Sequence, residues 1–575
     1  MTTLRQPIMW FGTLLLISSD IASAGLVTIR VVDQDTGLPV TARVELLDSA
    51  GSSQIAQNAI PVNAGCTMPP LPDWLPKSSK TDIYNPYTDT SQFYVDGEGH
   101  FSLEPGQYRV RIFKGPEYIV SGKTFQVGAD NVEVVVSMKR WSNPAAGGWY
   151  GADDHLHIAR TGPDKNKQLA AWMSAEGLHV ANLLAMGTVD QFAQAPQYAF
   201  GDKGSYSSGE TLLLSGQEHP RTHIFGHTIT LGAESAVDNR PDYLNYTLTF
   251  QQAEERGGVG GFGHWGIGHA RDGLAVFAPT GLVRFMEVLQ MEFGFYDVWY
   301  QLLNLGLHVA PTAGTDFPCG PPTIPGRERF YANVIGELSR KSFVEAIRNG
   351  RTFVTNGPQL TFTVNGSPIG SRVELQEATI VTVAGSVQFD PERDRIDRVE
   401  IVRNGVVLPE LVKQIERGRI SFSRSLRVDK GAWFALRVSG EKLGESGKLS
   451  TPPSLVRKAL EMHTGGAGGP ELWEYLDHRS GRLSAAHSGA IYVNVAGRAP
   501  DIPGELSGEW LERLSALESR LSDDQIQDEA IWDWLPYSDG VSVEYLQRNR
   551  EALAQAIAFA RRFYRGDAPD ASGRR

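Results

Sequence analysis

The sequence has very little cysteine, since only Cys66 and Cys319 occur among its 575 residues. Two thiols exclude a small fold held together by several disulfides, and they also exclude a cysteine-rich zinc module. A single Cys66–Cys319 disulfide stays open. Two free buried thiols are equally open, because the two positions fall in different predicted domains.

Positive charge is also scarce, with 54 Lys and Arg residues against 66 Asp and Glu residues and a net charge of −12. Proteins dedicated to nucleic acids or to anionic membranes usually present a basic surface. We therefore expect no nucleic-acid partner for this chain. Its oligomeric state stays open.

Long apolar runs are missing after residue 24, where no segment approaches the roughly 18 uninterrupted apolar residues of a membrane helix. The start of the chain carries a run of only ten residues, at 8–17, after Arg5 and before Ala22-Ser23-Ala24. This arrangement is typical of a secretory signal. We predict a cleaved signal at 1–24, a mature chain without stable membrane insertion, and a periplasmic or secreted location. An uncleaved anchor or a buried strand is the alternative.

Residues 25–143 contain short runs in which apolar and polar residues alternate between turns rich in Gly and Pro. The clearest runs are 26–32, 41–47, 107–113 and 132–136. Alternation with a period of two is typical of strands with one buried face, so we predict a small antiparallel β-sandwich. Its rhythm resembles the transthyretin-like or carboxypeptidase-regulatory-like accessory sandwich. The segment 56–95 is predicted to be an inserted loop.

The pattern changes over 144–358, where apolar strands such as 180–186 and 259–264 alternate with candidate helices. The candidate helices are 165–177, 249–257, 281–290 and 342–349. This alternation predicts a parallel α/β layer or barrel.

Strand patterns return over 359–503 and predict a second β-rich, sandwich-like domain, interrupted by a helical segment at 471–478. Beyond residue 504, apolar residues recur every three to four positions and predict a helical tail, 504–575, that packs on the body of the protein. A membrane-surface or dimerisation role for the tail is the alternative. The predicted fold is therefore multidomain, with an α/β block between two β-rich domains.

Histidines are concentrated in the α/β block, which holds nine of the 13, between His155 and His308. His155 and His157 are separated by one residue in a predicted strand, two positions after Asp153. Side chains alternate along a strand, so these three point to the same face. Two imidazoles about 7 Å apart along a strand can converge on one cation. Two histidines satisfied by hydrogen bonds in a core are the alternative.

Four more candidate ligands lie at the ends of predicted strands: Glu218, His227, His264 and Asp316. Polar residues at the carboxyl ends of barrel strands are where catalytic chemistry collects. Imidazoles bind borderline divalent metals, and a carboxylate can bridge two ions. The six side chains together predict a two-metal hydrolytic site.

In their order along the chain, these residues resemble the motifs of the PHP (polymerase and histidinol phosphatase) superfamily of metallohydrolases. The motifs are His155-x-His157, Gly216-x-Glu218, Gly226-His227, Gly263-His264 and Gly314-Thr-Asp316. The segments 339–358 and 486–493 are similar to its carbaryl-hydrolase-type branch, often called CehA/McbA-like. The resemblance implies a distorted (β/α)7 barrel that holds two or three metal ions.

The resemblance also implies which residues hold each ion. One metal position would be held by four side chains, His155, His157, Glu218 and Asp316. Glu218 would bridge to a second position held by His227 and His264. The chain has Thr188 and Pro318 where many members carry the histidines of a third position. We therefore predict two divalent ions, zinc, manganese or iron, with one ion as the alternative.

These residues predict an exported metal-dependent hydrolase with a small-molecule substrate. A metal-bound hydroxide would attack the carbonyl of an ester or carbamate, as the CehA/McbA-like branch suggests. Asp316, Glu218 and His264 are the predicted catalytic residues, and Asp316 would handle the proton as well as bind metal. A PHP-type phosphoesterase is one alternative. A non-catalytic binding protein with a degenerate barrel is another.

Other residues near the motifs are predicted to have roles outside the set of six ligands. Three histidines are predicted to be packing or surface residues: His179, His223 and His308. Two residues could reach the metals: His269 and Asp164. Three flanking residues could contact substrate: Arg160, Arg221 and Trp265. Four apolar neighbours favour an uncharged substrate: Trp149, Phe225, Trp265 and Phe317. Cys319 is not expected to bind metal.

Overall fold

The computed structural model describes most of the chain. The described residues are 24–62, 92–187, 195–222, 224–264, 270–290, 293–294, 296–319, 324–391, 394, 396–409, 418–440, 484–522 and 543–567. The predicted signal, apart from Ala24, and the predicted helix at 471–478 lie outside these residues. Five single residues named above also lie outside them, and their predicted roles stay predictions: Cys66, Thr188, His223, Trp265 and His269.

The N-terminal part of the chain forms two small sheets around one core. Its strands are β1 Gly25–Asp33, β2 Thr41–Asp48, β3 Gln92–Asp96, β4 Glu98–Leu103, β5 Gly106–Phe113, β6 Ser121–Val127 and β7 Val132–Met138. The strand orders are β4-β1-β7 and β3-β2-β5-β6. Apolar residues of both sheets, such as Val31 and Val110, pack together. The four alternating runs are confirmed as strands, but β1 and β7 run parallel, so only the four-stranded sheet is purely antiparallel.

The central part of the chain alternates strands with helices. Its strands are β8 Trp149–Leu156, β9 Val180–Met186, β10 Tyr206–Ser208, β11 Thr211–Thr222, β12 Gly226–Leu231, β13 Val259–Phe262, β14 Val283–Gln290, β15 Phe293–Gly294, β16 Ala310–Ala313, β17 Arg329–Asn333 and β18 Thr352–Thr355. Its helices are α1 Asn166–Ala175, α2 Gly201–Gly204, α3 Tyr246–Glu255, α4 Ala270–Phe277, α5 Tyr296–Asn304 and α6 Arg340–Arg348.

The C-terminal part begins with strands and ends with helices. Its strands are β19 Gln359–Val364, β20 Ser367–Pro368, β21 Arg372–Leu375, β22 Thr379–Gln388, β23 Arg398–Arg403, β24 Val406–Val407, β25 Arg419–Val428, β26 Ala432–Ser439, β27 Ala485–Ser488 and β28 Ile491–Val495. Its helices are α7 Gly504–Ser522 and α8 Val543–Arg565.

Seventeen of the strands form one large mixed sheet that curls into a half-barrel. Parallel pairs such as β8–β9, β9–β11 and β14–β16 lie beside antiparallel pairs such as β11–β12 and β12–β13. The expected strand–helix alternation is present, but the sheet is mixed rather than parallel. Strand β8, which contains His155 and leads directly to His157, lies inside this sheet between β17 and β9.

The predicted helix at 281–290 is wrong, because this segment is the central strand β14. Its sequence, VRFMEVLQ, is a short segment with five apolar residues among eight, and such a segment suits a strand covered on both faces as well as a buried helix. The neighbouring strands β13 and β16 pair with both of its edges. The other three candidate helices are confirmed as α1, α3 and α6.

The large sheet continues across the predicted boundary at residue 358. Strand β18 pairs with β27, where Phe353 lies opposite Ser488. Strands β19, β20, β22 and β25 form a separate four-stranded antiparallel sheet. The C-terminal strands therefore divide between their own sheet and the sheet that carries the candidate site.

The helices α7 and α8 pack against α4. Trp510, Leu514, Leu553 and Tyr564 share one buried core with the central part of the chain. The predicted amphipathic tail therefore packs on the body of the protein over its described residues. None of the helices in the described ranges is both long and apolar enough to cross a bilayer.

Candidate metal centre

Strand β8 brings two histidines together. His155 lies near its end, and His157 follows its last residue, Leu156. The Nε2 atoms of the two rings lie 3.1 Å apart, and both side chains are buried. The predicted alternation therefore places both imidazoles on one side of the strand.

Asp153, the third residue predicted for this face, joins β8 to two neighbouring segments. Its Oδ1 accepts hydrogen bonds from the backbone N–H groups of His155 (3.0 Å) and Thr315 (3.2 Å). Its Oδ2 accepts from Thr315 Oγ1 (2.6 Å) and from the N–H group of Gly326 (2.8 Å). Burial raises the pKa of Asp153 to about 6, against the effect of these hydrogen bonds. Asp153 thus fixes the segment that carries Asp316.

The four other candidate ligands come from different strands of the same sheet. Glu218 lies in β11, and His227 lies in the antiparallel neighbour β12. His264 follows the end of β13, and Asp316 follows the end of β16. Asp316 has a φ of 55°, a left-handed conformation that Asp adopts more readily than most residues. All six predicted ligands therefore converge on one region of the half-barrel.

His155, His157 and Asp316 form one compact group of donors. Asp316 Oδ1 lies 3.5 Å from His155 Nε2 and 3.2 Å from His157 Nε2. Two ligand atoms of a tetrahedral ion bound at about 2.0–2.1 Å are separated by about 3.3 Å. The edges of this triangle, 3.1, 3.2 and 3.5 Å, match that separation. Glu218 lies beside it, with Oε2 at 3.3 Å from His157 Nε2.

Glu218, His227 and His264 form the second group. Glu218 Oε1 lies 2.6 Å from His227 Nδ1 and 3.1 Å from His264 Nε2. The two imidazoles meet edge to face, with His227 Nδ1 at 3.1 Å from His264 Nε2. Glu218 therefore contacts both groups with different oxygens, which is the arrangement of a bridging carboxylate.

His155 also lies close enough to Glu218 and His264 to complete a metal-binding triad with them. One imidazole nitrogen binds one ion, so His155 Nε2 serves only one of two ions at a time. If two ions are bound, His155 would serve with His157 and Asp316, and His227 would complete the second group with Glu218 and His264.

The charges of the centre favour a cation among these side chains. Burial disfavours the charged form of His155, but Glu287, Asp316 and Glu218 outweigh it and raise the pKa of His155 well above its ordinary value. Burial also opposes the ionised form of Glu218, but Arg221, His227 and His155 hold its pKa well below the ordinary value. Carboxylates thus stay ionised and attract positive charge to this position.

Exposure increases from one side of the centre to the other. The side chains of His155 and Glu218 are 0% and 1% exposed, whereas that of Asp316 is 13% exposed. His264 is 8% exposed. Asp316 is therefore the most exposed of the six candidate ligands.

Glu287, which the sequence analysis missed, contacts both groups of ligands. Its Oε1 lies 2.9 Å from His155 Nδ1, and its Oε2 accepts a hydrogen bond from the backbone N–H group of His264. Burial and the charge of Glu287 raise the pKa of the adjacent Asp154 well above its ordinary value. The sequence signal was a single acidic residue in a mainly apolar segment that also contains Arg284 and Gln290, and the helix prediction for 281–290 concealed it.

Three other polar residues discussed in the sequence analysis contact groups outside the candidate centre. Arg160 is buried and donates to Gly204 O and Ser215 Oγ, so it holds a loop together. Asp164 is largely exposed and pairs with Lys165 at 3.9 Å. His308 stacks on Tyr492, with ring centroids 4.0 Å apart.

His179 and Arg221 are both buried. His179 Nδ1 accepts from the backbone N–H group of Gly151 at 3.1 Å, so this histidine is a packing residue, as predicted. Arg221 Nε lies 3.0 Å from Glu218 Oε2. Arg221 is therefore the one predicted substrate contact among the described residues that touches a candidate ligand.

Two of the apolar residues expected beside the substrate belong to the core. Phe225 packs on Tyr246, and Phe317 packs edge-on against Trp172. Both are fully buried. They therefore give no support to a hydrophobic substrate.

The donor set fits divalent metal ions. Four imidazoles and two carboxylates, all buried or nearly so, offer the ligands that zinc, manganese and iron use. Two triads that share His155 lie within metal-binding distance, His155–Glu218–His264 and His155–His157–Asp316, and the second has the edges of a tetrahedral site. The residues present therefore suit the ions that the sequence predicts.

Comparison of the whole chain with protein-family models, with curated proteins and with solved structures gives no match.

Proposed function

We propose that this chain is a metal-dependent hydrolase of the PHP superfamily, of the CehA/McbA-like type, that cleaves an ester or carbamate. The observation that carries the proposal is the convergence of His155, His157, Glu218, His227, His264 and Asp316 at one buried position. These residues are far apart in the sequence and occur in the order of the PHP motifs. Packing alone does not require four imidazoles and two carboxylates to face one another.

Each side chain has a distinct task in this proposal. Divalent ions, when bound, lower the pKa of water and polarise the oxygen of the bond to be cleaved. His155, His157 and Asp316 would hold one ion, His227 and His264 would hold the other, and Glu218 would contribute a carboxylate oxygen to each. Asp316 lies on the exposed side, where its carboxylate can take a proton from the attacking water and hand it to the leaving group.

The arginines near the site favour an uncharged substrate over a phosphate ester. Phosphate sites usually present cationic side chains to the ligand. Here Arg221 lies beside Glu218, and Arg271 lies beside Asp297. Arg160 donates to Gly204 O and Ser215 Oγ, and Arg327 lies 3.9 Å from Glu328. An ester or carbamate therefore remains the leading proposal, with a phosphoester as the alternative.

Metal analysis of the full chain tests the proposal first. We expect about two equivalents of zinc, manganese or iron in the wild type, and loss of bound metal in His157→Ala and Glu218→Ala. His308→Ala serves as the control, because His308 stacks on Tyr492 outside the centre. A wild type that takes up no metal after supplementation would support a binding protein with a degenerate barrel instead.

Activity assays then separate the reaction classes. A naphthyl acetate, a naphthyl methylcarbamate and a nitrophenyl phosphate, assayed side by side, report carboxylic ester, carbamate and phosphoester cleavage. We expect turnover of the first two, and its loss in His157→Ala. Turnover of the phosphate alone would favour a phosphoesterase, and unchanged metal content and turnover in His157→Ala would end the metallohydrolase proposal.

We also propose that the chain is exported, because residues 1–24 carry the pattern of a secretory signal. Cell fractionation with N-terminal sequencing tests this. A mature N-terminus at Gly25 in the periplasm or medium is expected, and an intact Met1 in the cytoplasm contradicts it.

A further inference from the structure

Glu287 lies behind the metal ligands and has no role in the proposed reaction. It is fully buried in β14, between the strands that lead to His264 and Asp316. A buried carboxylate is costly unless hydrogen bonds and charges compensate it. The position of Glu287 therefore calls for specific partners, and both of its oxygens have one.

The first partner is the ring of His155. Neutral imidazole carries its proton on one nitrogen and is an acceptor or ligand at the other. An ionised Glu287 at 2.9 Å from Nδ1 requires the proton to be on Nδ1. In the neutral, metal-binding form of His155, the lone pair of Nε2 then points toward His157 and Asp316, where a metal ion would bind.

The second partner is the backbone of His264. Glu287 Oε2 accepts from the N–H group of His264, which follows the end of β13. The side chain of His264 reaches Glu218 in the second group of ligands. One carboxylate in β14 therefore holds a ligand of each group.

We propose that Glu287 is a positioning residue for both metal positions: it fixes the Nδ1–H tautomer and ring orientation of His155 and the backbone position of His264. It does not itself bind an ion or touch substrate. The proposal rests on the metal-binding part of the proposed function, and it makes no use of the hydrolytic step.

Substitution by glutamine separates this role from simple packing. Glutamine has the shape of glutamate but offers one acceptor oxygen, whereas His155 and His264 present two donors. If the oxygen stays on the His264 N–H group, the amide NH₂ faces His155 Nδ1 and forces the ring proton onto Nε2. The metal-facing nitrogen is then protonated and must lose its proton to bind.

The experiment is metal binding by the full-length metal-free protein, measured by chelator competition with zinc and by the absorption spectrum of bound cobalt(II). Glu287→Gln is expected to weaken zinc binding by about 10–100-fold and to change the cobalt spectrum. Glu287→Asp keeps the charge and is expected to bind more tightly than Glu287→Gln. Glu400→Gln is the matched control, because Glu400 is a buried carboxylate paired with Arg437 in another part of the chain.

Three outcomes bear on the inference. Wild-type affinity and spectrum in a folded Glu287→Gln overturn it and leave the metallohydrolase proposal intact. A wild type that binds neither zinc nor cobalt overturns both. If Glu287→Gln does not fold, Glu287→Asp decides, because a positioning role requires its cobalt spectrum to differ from that of the wild type.

Discussion

Two candidate ligands, His155 and His157, each have a hydrogen-bond partner for the ring nitrogen that faces away from the other ligands. His155 Nδ1 faces Glu287, and His157 Nδ1 lies 3.3 Å from Leu184 O. Each Nδ1 proton is thus directed outward, and each Nε2 is directed toward the ligands opposite. Outer partners of this kind set the tautomer and the basicity of a metal-binding histidine. The metal affinity proposed for the centre should therefore depend on these outer contacts as well as on the candidate ligands.

Asp316→Asn tests the proposed proton transfer at this scale. The amide keeps an oxygen for the metal but cannot accept the proton, so we expect turnover to fall by about 10²–10⁴-fold. Metal content, measured by mass spectrometry of the metals, should stay near that of the wild type. Asp164→Asn is the control, because Asp164 is 74% exposed. Wild-type turnover in Asp316→Asn would assign the proton transfer to another group.

His487 predicts how acid affects stability. It is fully buried, and its Nδ1 donates to Ser488 O at 2.8 Å. Burial lowers the pKa of His487 to about 3. In the unfolded chain, His487 therefore binds a proton below about pH 6.5, whereas in the folded chain it does so only near pH 3. The free energy of unfolding falls as the pH falls from about 6.5 toward 3.

His487→Gln removes this contribution. Urea unfolding at several pH values between 6.5 and 4 should show a smaller loss of stability on acidification, by up to about 1.4 kcal/mol per pH unit. His308→Gln should retain the wild-type slope. An unchanged slope in His487→Gln would contradict the assignment.

The candidate ligands were accessible to sequence reasoning, whereas the residues behind them were not. The spacing of His155 and His157 in a predicted strand identifies them as candidate ligands, and the Gly314-Thr-Asp316 motif does the same for Asp316. Glu287 belongs to no motif, and its partners come from strands that pair only in the folded sheet. Asp153 was expected on the ligand face, but its hydrogen bonds to Thr315 and Gly326 could not be read from local spacing.

At the scale of secondary-structure elements, the candidate ligands His264 and Asp316 lie just after the ends of β13 and β16. Close packing around these strand ends restricts their movement. Gly314 follows β16 and lies directly against the centre. A Cβ atom at this position would meet Asp154 Oδ1, His155 Cβ at 2.5 Å and Glu287 Oε1 at 2.8 Å. No side chain fits without moving β8 or β14.

Gly314→Ala is therefore expected to weaken zinc binding by at least tenfold and to lower the melting temperature. Chelator competition and calorimetry measure the two effects. Gly508→Ala is the control, because Gly508 lies in α7 with open space around it and alanine should stabilise the helix by about 1 kcal/mol. Normal zinc affinity in Gly314→Ala would show that β16 can shift without cost.

Helix α4 begins six residues after His264 and is held by the C-terminal helices. Asp272 of α4 is buried and accepts from Arg513 at 3.0 Å and from Arg520. Asp272→Asn should lower the free energy of unfolding by about 1–3 kcal/mol in urea. Asp297→Asn is the control, since its pair with Arg271 is exposed and worth less than about 1 kcal/mol. Equal effects of the two substitutions would show that α7 does not stabilise α4 through Asp272.

Element prediction succeeded where periodicity and capping agree. Helix α6 begins at a capping box formed by Ser339 and Ser342, and Gly350 follows its end with a φ of 65°. Strand β14 has neither signal. Its pattern became unambiguous only through pairing with β13 and β16, which the local sequence does not specify.

At the scale of the whole molecule, a buried ion pair joins the N-terminal sheets to the half-barrel. Arg43 Nε donates to Glu176 Oε1 at 2.9 Å, and Tyr94 Oη donates to the same oxygen at 2.7 Å. Both charged side chains are at most 3% exposed. Removing one partner of such a pair leaves the other charge buried and unbalanced.

Glu176→Gln should therefore lower the free energy of unfolding by about 3 kcal/mol, measured in urea. Glu133→Gln is the control, because its pair with Arg30 is exposed and should contribute less than about 1 kcal/mol. A cost below 1 kcal/mol for Glu176→Gln would show that the two parts of the chain are joined by other contacts.

The large sheet is complete only after β27 has paired with its neighbours. This strand pairs with β18, although more than 100 residues separate them in the chain. Contacts between distant segments form slowly, because a long loop must first close. Strand β18 also pairs with β17, which in turn pairs with β8 and its two histidines. The sheet around these histidines is therefore complete only after residues 485–488 have paired with β18, and we expect full metal affinity only after that pairing.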